Sequence, residues 1–412
     1  MAELVRGKHG RVLFTREMKQ EGYTILMPSM APIHFELIKN VMRKAGYNLV
    51  LLTNTGHQVV EEGLKYVHND TCYPALLVIG QMIDALGSGA YDVTKTALLM
   101  SQTGGGCRAS NYIHLMRKAV AKAGYPDIPI ISANLSGLEA NPGFKITLPI
   151  LRKGIAALVY GDLLMLLSNQ TRPYEDDPGA ADRLVQRWIR ELSAQFEAGH
   201  GLGLREMKQN LRRIADSFEQ LAVTLTPKVK VGVVGEIYVK YAKLANNDLE
   251  SFLASQDCEV MVPGLLSFML FKVDNRLEDI RLYGGNPAKY AVVNLLMKFF
   301  LRMEHAMLEV LALHPRFTAP SPYPELKALV ADVIGYGAKM GEGWLLTAEM
   351  LELIAKGYKN IVCAQPFGCL PNHIVGKGMI HRLHALHPQA NIVAIDYDPS
   401  ATRVNQENRI KL

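Results

Sequence analysis

The chain of 412 residues has no apolar run long enough to cross a bilayer, no basic block and no closely spaced pair of cysteines. A membrane span needs about 18 uninterrupted apolar residues. The longest apolar stretch here, Gly154 to Leu167, is interrupted by Asp162 and reads as a buried helix. The opening residues, Met1-Ala2-Glu3-Leu4-Val5-Arg6-Gly7-Lys8, lack the apolar core of a signal peptide. The expectation is a cytoplasmic protein that does not engage a membrane. The net charge of +6 is spread along the chain, which speaks against a nucleic-acid partner. Low-complexity segments and short tandem repeats are absent as well. There are only five cysteines, and the closest two, Cys363 and Cys369, have five residues between them. That spacing is not the tight knuckle of a structural zinc site. In a reducing compartment, such cysteines read as ligands or catalysts rather than disulfides.

What is present is an ordinary globular composition, 49% hydrophobic and 20% charged, enough for two or three domains with sizeable cores. The first part alternates. Apolar strands are expected at residues 23–28, 48–53, 96–101 and 128–132. Helices are expected near 32–46, 59–67, 74–86 and 109–123. Residues 145–225 change to long helical periodicity with many charges, including 181–198 and 205–221. A second alternating unit begins at Val229, with strands at 229–235, 258–262, 360–364 and 391–395. Its helices fall near 246–256, 285–313, 324–333, 346–356 and 371–386. Continuous apolar strands separated by helices are the pattern of a parallel sheet covered on both faces. The chain therefore reads as α/β, with two Rossmann-like parallel-sheet domains. The expected division is an N-terminal extension over 1–20, an α/β domain over 21–144, a helical linking region over 145–226 and an α/β domain over 227–412.

Four cysteines fall in loops at the ends of these strands or beside them. Cys72 lies in His68-Asn69-Asp70-Thr71-Cys72-Tyr73-Pro74, and Pro74 suits the first turn of a helix. Cys107 follows Thr103-Gly104-Gly105-Gly106 and precedes Arg108. Three glycines let the backbone take positive φ and approach a ligand closely. No Gly-Lys-Ser/Thr follows, so the loop is not a phosphate-binding P-loop. Arg108 is placed to neutralise negative charge. Cys369 sits in Phe367-Gly368-Cys369-Leu370-Pro371, where Gly368 permits the turn. A helix start favours a thiolate through its unpaired N–H groups and dipole. Cys363 lies inside an apolar strand, where it is either a packed thiol or a fourth ligand reaching the site from the strand end. Cys258, at a strand start, reads as structural. Open parallel sheets bind ligands at the carboxyl ends of their strands, so both units direct their cysteine loops to that edge. Glu236 and Glu342 are candidate acids or bases there, with helix capping as the alternative. His373 either bonds near the ligand or caps its loop.

These loops resemble the acyl-CoA dehydratase activase-related proteins. The resemblance is carried by Tyr66 to Pro74, by Ser101-Gln102-Thr103-Gly104-Gly105-Gly106-Cys107-Arg108-Ala109-Ser110-Asn111-Tyr112 and by Asn134-Leu135-Ser136-Gly137-Leu138-Glu139. Gln365-Pro366-Phe367-Gly368-Cys369-Leu370-Pro371-Asn372-His373, Gly341-Glu342-Gly343-Trp344 and Ile395-Asp396-Tyr397-Asp398-Pro399 also fit. It runs from about Thr15 to the C-terminus. Wider relatives of that family are the 2-hydroxyacyl-CoA dehydratases, the benzoyl-CoA reductases and the double-cubane cluster proteins.

The resemblance implies paired α/β domains with an iron–sulfur cluster between them. The ligands it implies are Cys72, Cys107 and Cys369, with Cys363 as a fourth candidate. The loops themselves put Gly104, Gly105, Gly106, Arg108 and Gly368 around such a cofactor and leave Glu342 and His373 as catalytic candidates. The resemblance also implies a partner, an ATP-hydrolysing activase with its own [4Fe-4S] cluster, that injects low-potential electrons for use on a small, acyl-CoA-like substrate. The cluster would be [4Fe-4S]. An [8Fe-9S] double cubane needs six thiolates, more than the five cysteines here, and so would require a homodimer meeting at the cluster. Two other readings stand beside this one: a non-enzymatic electron or cluster carrier that docks an activase, and a structural zinc protein with a nucleotide-binding sheet.

Overall fold

A computed structural model of the chain describes all residues except 1, 69, 103, 104 and 135–137. It contains two four-stranded sheets, and every strand pair in them is parallel. The first is built from β1 (Thr24–Pro28), β2 (Asn48–Leu52), β3 (Thr96–Ser101) and β4 (Ile130–Ala133), in the order β2-β1-β3-β4. The second is built from β5 (Val229–Gly235), β6 (Cys258–Met261), β7 (Asn360–Pro366) and β8 (Asn391–Tyr397), in the order β6-β5-β7-β8. The two orders are the same, so the two units repeat one Rossmann-like topology. In such a sheet the connections leave to opposite faces at the central strand pair. A crevice opens there, outside the carboxyl ends. The crevices lie at β1/β3 and at β5/β7.

All eight strands fall where apolar runs bounded by turn residues placed them. Several helices do not follow from the sequence pattern: the short Arg16–Gln20 and Ile237–Tyr241, the C-terminal Arg403–Lys411 and, the longest of them, Leu265–Tyr283. Leu265–Tyr283 is a 19-residue helix that buries Asp274, Asn275 and Glu278 along with Leu265, Leu266, Leu270 and Leu277. Lys327 pairs with Asp274 and Glu278 at 2.7 Å each, and the Tyr323 hydroxyl donates to Asp274 at 3.1 Å. Buried polar positions break the apolar periodicity by which a helix is read from sequence. The expected helix over 371–386 is also divided. A π turn at Asn372–Gly376 and a 3-10 turn at Lys377–Met379 precede the α-helix Ile380–Leu386. Gly376 and Gly378 weaken the helix there.

The two units share a core. One apolar cluster joins Leu76, Ile79 and Ile83 of the first unit with Val233, Val239 and Tyr241 of the second. The helix Tyr73–Gly87 lies in it with only Asp84 and Gly87 of its 15 residues not buried, which explains its nearly unbroken apolar sequence. The helical region is likewise central. Its helix Leu148–Thr171 is buried from Ile155 onward except at the partly buried Leu158. Asp162 on that helix accepts the His34 Nε2–H at 2.8 Å, and the Leu265 and Leu266 N–H groups at 2.8 Å each. One buried carboxylate thus ties both units to the central helix. Among the described residues, no helix is long and apolar enough to cross a membrane.

Candidate functional site

Cys72 is the N-cap of the helix Tyr73–Gly87, with extended backbone (φ −60°, ψ 144°). Its turn is bonded directly to the second unit, because the Tyr73 N–H donates to the Phe367 carbonyl at 2.9 Å. Next to Phe367 is Gly368, with φ +72°. A Cβ on Gly368 would lie 3.1 Å from Cys72 Cα. Both the left-handed conformation and the close approach require glycine. Gly368, expected beside a cofactor, presses the Cys369 turn against the Cys72 turn.

Cys107 is the N-cap of a 3-10 turn, Arg108–Asn111, that leads into the helix Tyr112–Lys122. Gly105 has a positive φ, and Gly106 packs against Met340 of the second unit. Gly104 lies outside the described residues. Arg108 donates to the Asp70 carbonyl at 2.6 Å. It thereby ties the Cys107 turn to the loop before Cys72, whereas the sequence suggested a neutraliser of cofactor charge. Between Cys107 and Tyr112 the chain is fastened to the ends of β3 and β4. The Ser110 hydroxyl donates to Cys107 O at 2.8 Å, and Gln102 Nε2 donates to Ser110 O at 3.2 Å. Ser132 donates to Gln102 Oε1 at 2.8 Å, and Asn134 Nδ2 donates to Ser132 Oγ at 2.8 Å.

Cys369 follows β7 and is 7% exposed. The three thiols belong to one electrostatic neighbourhood. Charge on Cys107 acts on Cys72, and charge on Cys72 acts on Cys369. Glu236 acts on all three. Burial dominates each of them. It pushes Cys72 up to about 11 and raises Cys107 and Cys369. The thiolate-stabilising helix starts are present, but removal from water outweighs them. The free thiols therefore hold their protons at neutral pH.

Cys363 stands apart. It is fully buried within β7, with its sulfur 3.7 Å from Asn372 Oδ1 and against Gly376. Burial pushes it up to about 12, and the carboxylates that add to this are Glu349 and Asp396, whereas Glu236 is the carboxylate shared by the other three. Cys363, expected as a fourth ligand, is packed inside the strand, away from the three turns that carry Cys72, Cys107 and Cys369. Cys258 is at the amino end of β6, opposite the carboxyl edge, and is buried there. Comparison with known proteins gives no match to a family model and none to a curated protein.

Two carboxylates join the three thiols. Glu236 follows β5 directly and caps a short helix by accepting from Val239 N at 2.9 Å. Burial, with the charge of Glu342 added, pushes its carboxyl up to about 8. Glu342 is 6% exposed, and its Oε1 accepts the Ile237 N–H at 3.0 Å. It projects from a closed loop in which Trp344 N donates to Ala338 O at 2.7 Å. Gly343 holds φ +52°, and a Cβ there would be 2.5 Å from Ala338 O. Lys272, from the helix Leu265–Tyr283, donates to Gly341 O. Burial lowers its ammonium, while Glu342 and Cys107 favour the charge.

His373 is exposed and differs from its catalytic expectation in what it touches. Its Nδ1 donates to Cys369 O at 3.0 Å, since a carbonyl can only accept. That leaves Nε2 to accept from Gln365 Nε2 at 3.2 Å, and Gln365 Nε2 also donates to Asp396 at 2.8 Å. Both ring nitrogens hold the Cys369 turn.

Sequence reasoning missed Tyr112, whose hydroxyl is 2.6 Å from the Cys72 sulfur. It also missed Lys272, whose helix has no clear apolar period, and Met340. Tyr112 was visible only as the end of the Gly-rich loop motif. Among the described residues, no three His, Cys, Asp or Glu side chains are close enough together to hold a single metal ion.

Proposed function

We propose that this chain is a cytoplasmic iron–sulfur protein of the acyl-CoA dehydratase activase-related kind. It takes low-potential electrons from an ATP-hydrolysing activase and applies them to a small substrate. Cys72, Cys107 and Cys369 would hold a [4Fe-4S] cluster. The observation that carries this reading is their convergence. Three cysteines, each just ahead of a helical turn, come from three loops to the carboxyl edges of two sheets with the same strand order. The donor set fits a cluster, because thiols around a shared edge suit a polynuclear group, whereas one ion needs all donors at about 2.3 Å from a single point.

A bound cluster of this kind supplies single electrons at a potential set by its ligands and their hydrogen bonds. The protein's own groups do the rest. The three thiols release their protons on loading, so uptake is favoured as pH rises. Glu236 holds a proton near neutral pH and stands beside all three cysteines, so it can protonate a substrate anion at its carboxyl oxygen. Glu342 is pinned by Ile237 N, and its charge helps keep that proton on Glu236. Cys258 and Cys363 face elsewhere, so a double cubane would require a second chain.

The test is anaerobic reconstitution of the full chain, followed by iron and sulfide analysis and EPR. About four irons and four sulfides per chain are expected, lost in Cys107→Ala. Absence of iron, or zinc taken up in preference to iron, defeats the proposal.

A further inference from the structure

Tyr112 is the one side chain with a hydroxyl bonded directly to a sulfur of the cysteine group among the described residues. Its oxygen lies 2.6 Å from Cys72 Sγ, with Cys72 4% and Tyr112 9% exposed. Between a thiol and a phenol, either can donate. A metal-bound thiolate has no proton, so the phenol must then be the donor, and a phenol keeps its proton at neutral pH.

The hydroxyl is positioned by both ends of its segment. Tyr112 begins the helix Tyr112–Lys122, directly after the Cys107 turn. That turn is locked by the series Asn134, Ser132, Gln102 and Ser110. Cys72 is held from the other side by the Tyr73–Phe367 bond and by the Gly368 contact. The tyrosine therefore bridges two cysteine turns, and neither turn can move away from it independently.

We propose that Tyr112 is a positioning residue of the cysteine centre, donating a hydrogen bond to the Cys72 sulfur and thereby raising the reduction potential of the group held there. This rests on the cluster reading above. The physical reason is that one-electron reduction adds negative charge, which spreads onto the ligand sulfurs. A donor aimed at a sulfur stabilises the reduced state more than the oxidised one. Because both groups are buried, water does not supply a substitute donor at equal strength.

The experiment is an anaerobic redox titration of the reconstituted full chain, followed by EPR. Wild type is compared with Tyr112→Phe and with Tyr112→3-fluorotyrosine, which carries a more acidic and stronger donor. Tyr112→Phe is expected to keep its iron and to titrate at a more negative potential. At a fixed potential near the midpoint, its reduced-to-oxidised ratio should fall up to about tenfold, which is 59 mV for one electron. Tyr112→3-fluorotyrosine is expected to move the midpoint the opposite way. Iron-loaded variants at the wild-type midpoint overturn the assignment of Tyr112 and leave the cluster reading standing. If Tyr112→Phe fails to fold, the fluorinated variant decides alone, and an unshifted midpoint there overturns the assignment. Wild type that binds no iron overturns both.

Discussion

Removing the Asp162 carboxylate should loosen both α/β units from the central helix at once. Asp162 is 4% exposed and accepts three hydrogen bonds at 2.8 Å, from His34 on one unit and from Leu265 and Leu266 on the start of the long helix Leu265–Tyr283. In Asp162→Ala all three donors stay buried without a partner. An unsatisfied buried donor costs about 1–3 kcal/mol, and three such donors would be left behind. The expected loss is therefore about 4 kcal/mol. Asp162→Asn should lose less, because one amide oxygen still accepts while its NH₂ faces a donor. The assay is denaturant unfolding of the wild type, Asp162→Ala, His34→Ala and the double variant. The cycle should give a coupling of roughly 1–3 kcal/mol between residues 34 and 162. The helix Leu265–Tyr283 also carries Lys272 to the cysteine site, so iron uptake by Asp162→Ala should fall as well. A loss under about 1 kcal/mol with additive single variants would refute the reasoning.

Three further outcomes follow from the same geometry. Burial pushes Glu304 and Glu352 from an ordinary 4.5 up to about 7, although Glu304 accepts from Tyr323 N and Glu352 from Ser321 N. An acid whose pKa is raised on folding stabilises the protein below its unfolded value. That stability is lost as pH rises through the folded one. Stability should thus fall between about pH 4.5 and 7.5, by at most about 3 kcal/mol per group. Glu304→Gln and Glu352→Gln should flatten thermal midpoints measured across that window, and unchanged slopes would exclude the carboxyls as the cause. Cys363→Ala should retain full iron on reconstitution while Cys107→Ala loses it; equal loss in both would restore Cys363 as a ligand. Gly343→Ala should cost about 1–3 kcal/mol, because a Cβ is strained at φ +52° and would meet Ala338 O at 2.5 Å. Displacing Glu342 should also lower iron uptake, and a fully stable, fully loading variant would show that the loop is not held as described.

Local pattern was a good guide where one local cause decides the outcome. Runs such as Ile361-Val362-Cys363-Ala364 are short, rich in β-branched residues and bounded by turns, which suits a ladder covered on both faces better than a buried helix, so every strand was legible. The loops around Cys72, Cys107 and Cys369 were legible for the same kind of reason, since glycine and proline punctuate them. The helix Leu265–Tyr283 was not, because the partners that make Asp274 and Glu278 tolerable inside it, Tyr323 and Lys327, lie about 50 residues downstream. Cys363 and Cys369 look like equal candidates in a list of cysteines. They differ in that Cys363 is packed within β7 while Cys369 lies in the turn that follows it, against the Cys72 turn.

The amino-acid sequence alone determined the α/β class, the two repeated units and the cysteine-bearing turns at their functional edges. Each of these follows from periodicity or from the conformational limits of nearby residues. Tertiary structure decided which thiols meet, that burial outweighs the helix dipole in setting their protonation, and that Tyr112, Glu236 and Lys272 join them. Those facts depend on strand order and on backbone approaches such as Gly368 upon Cys72. Such contacts are made between residues from 40 to nearly 300 positions apart, where no local propensity reaches.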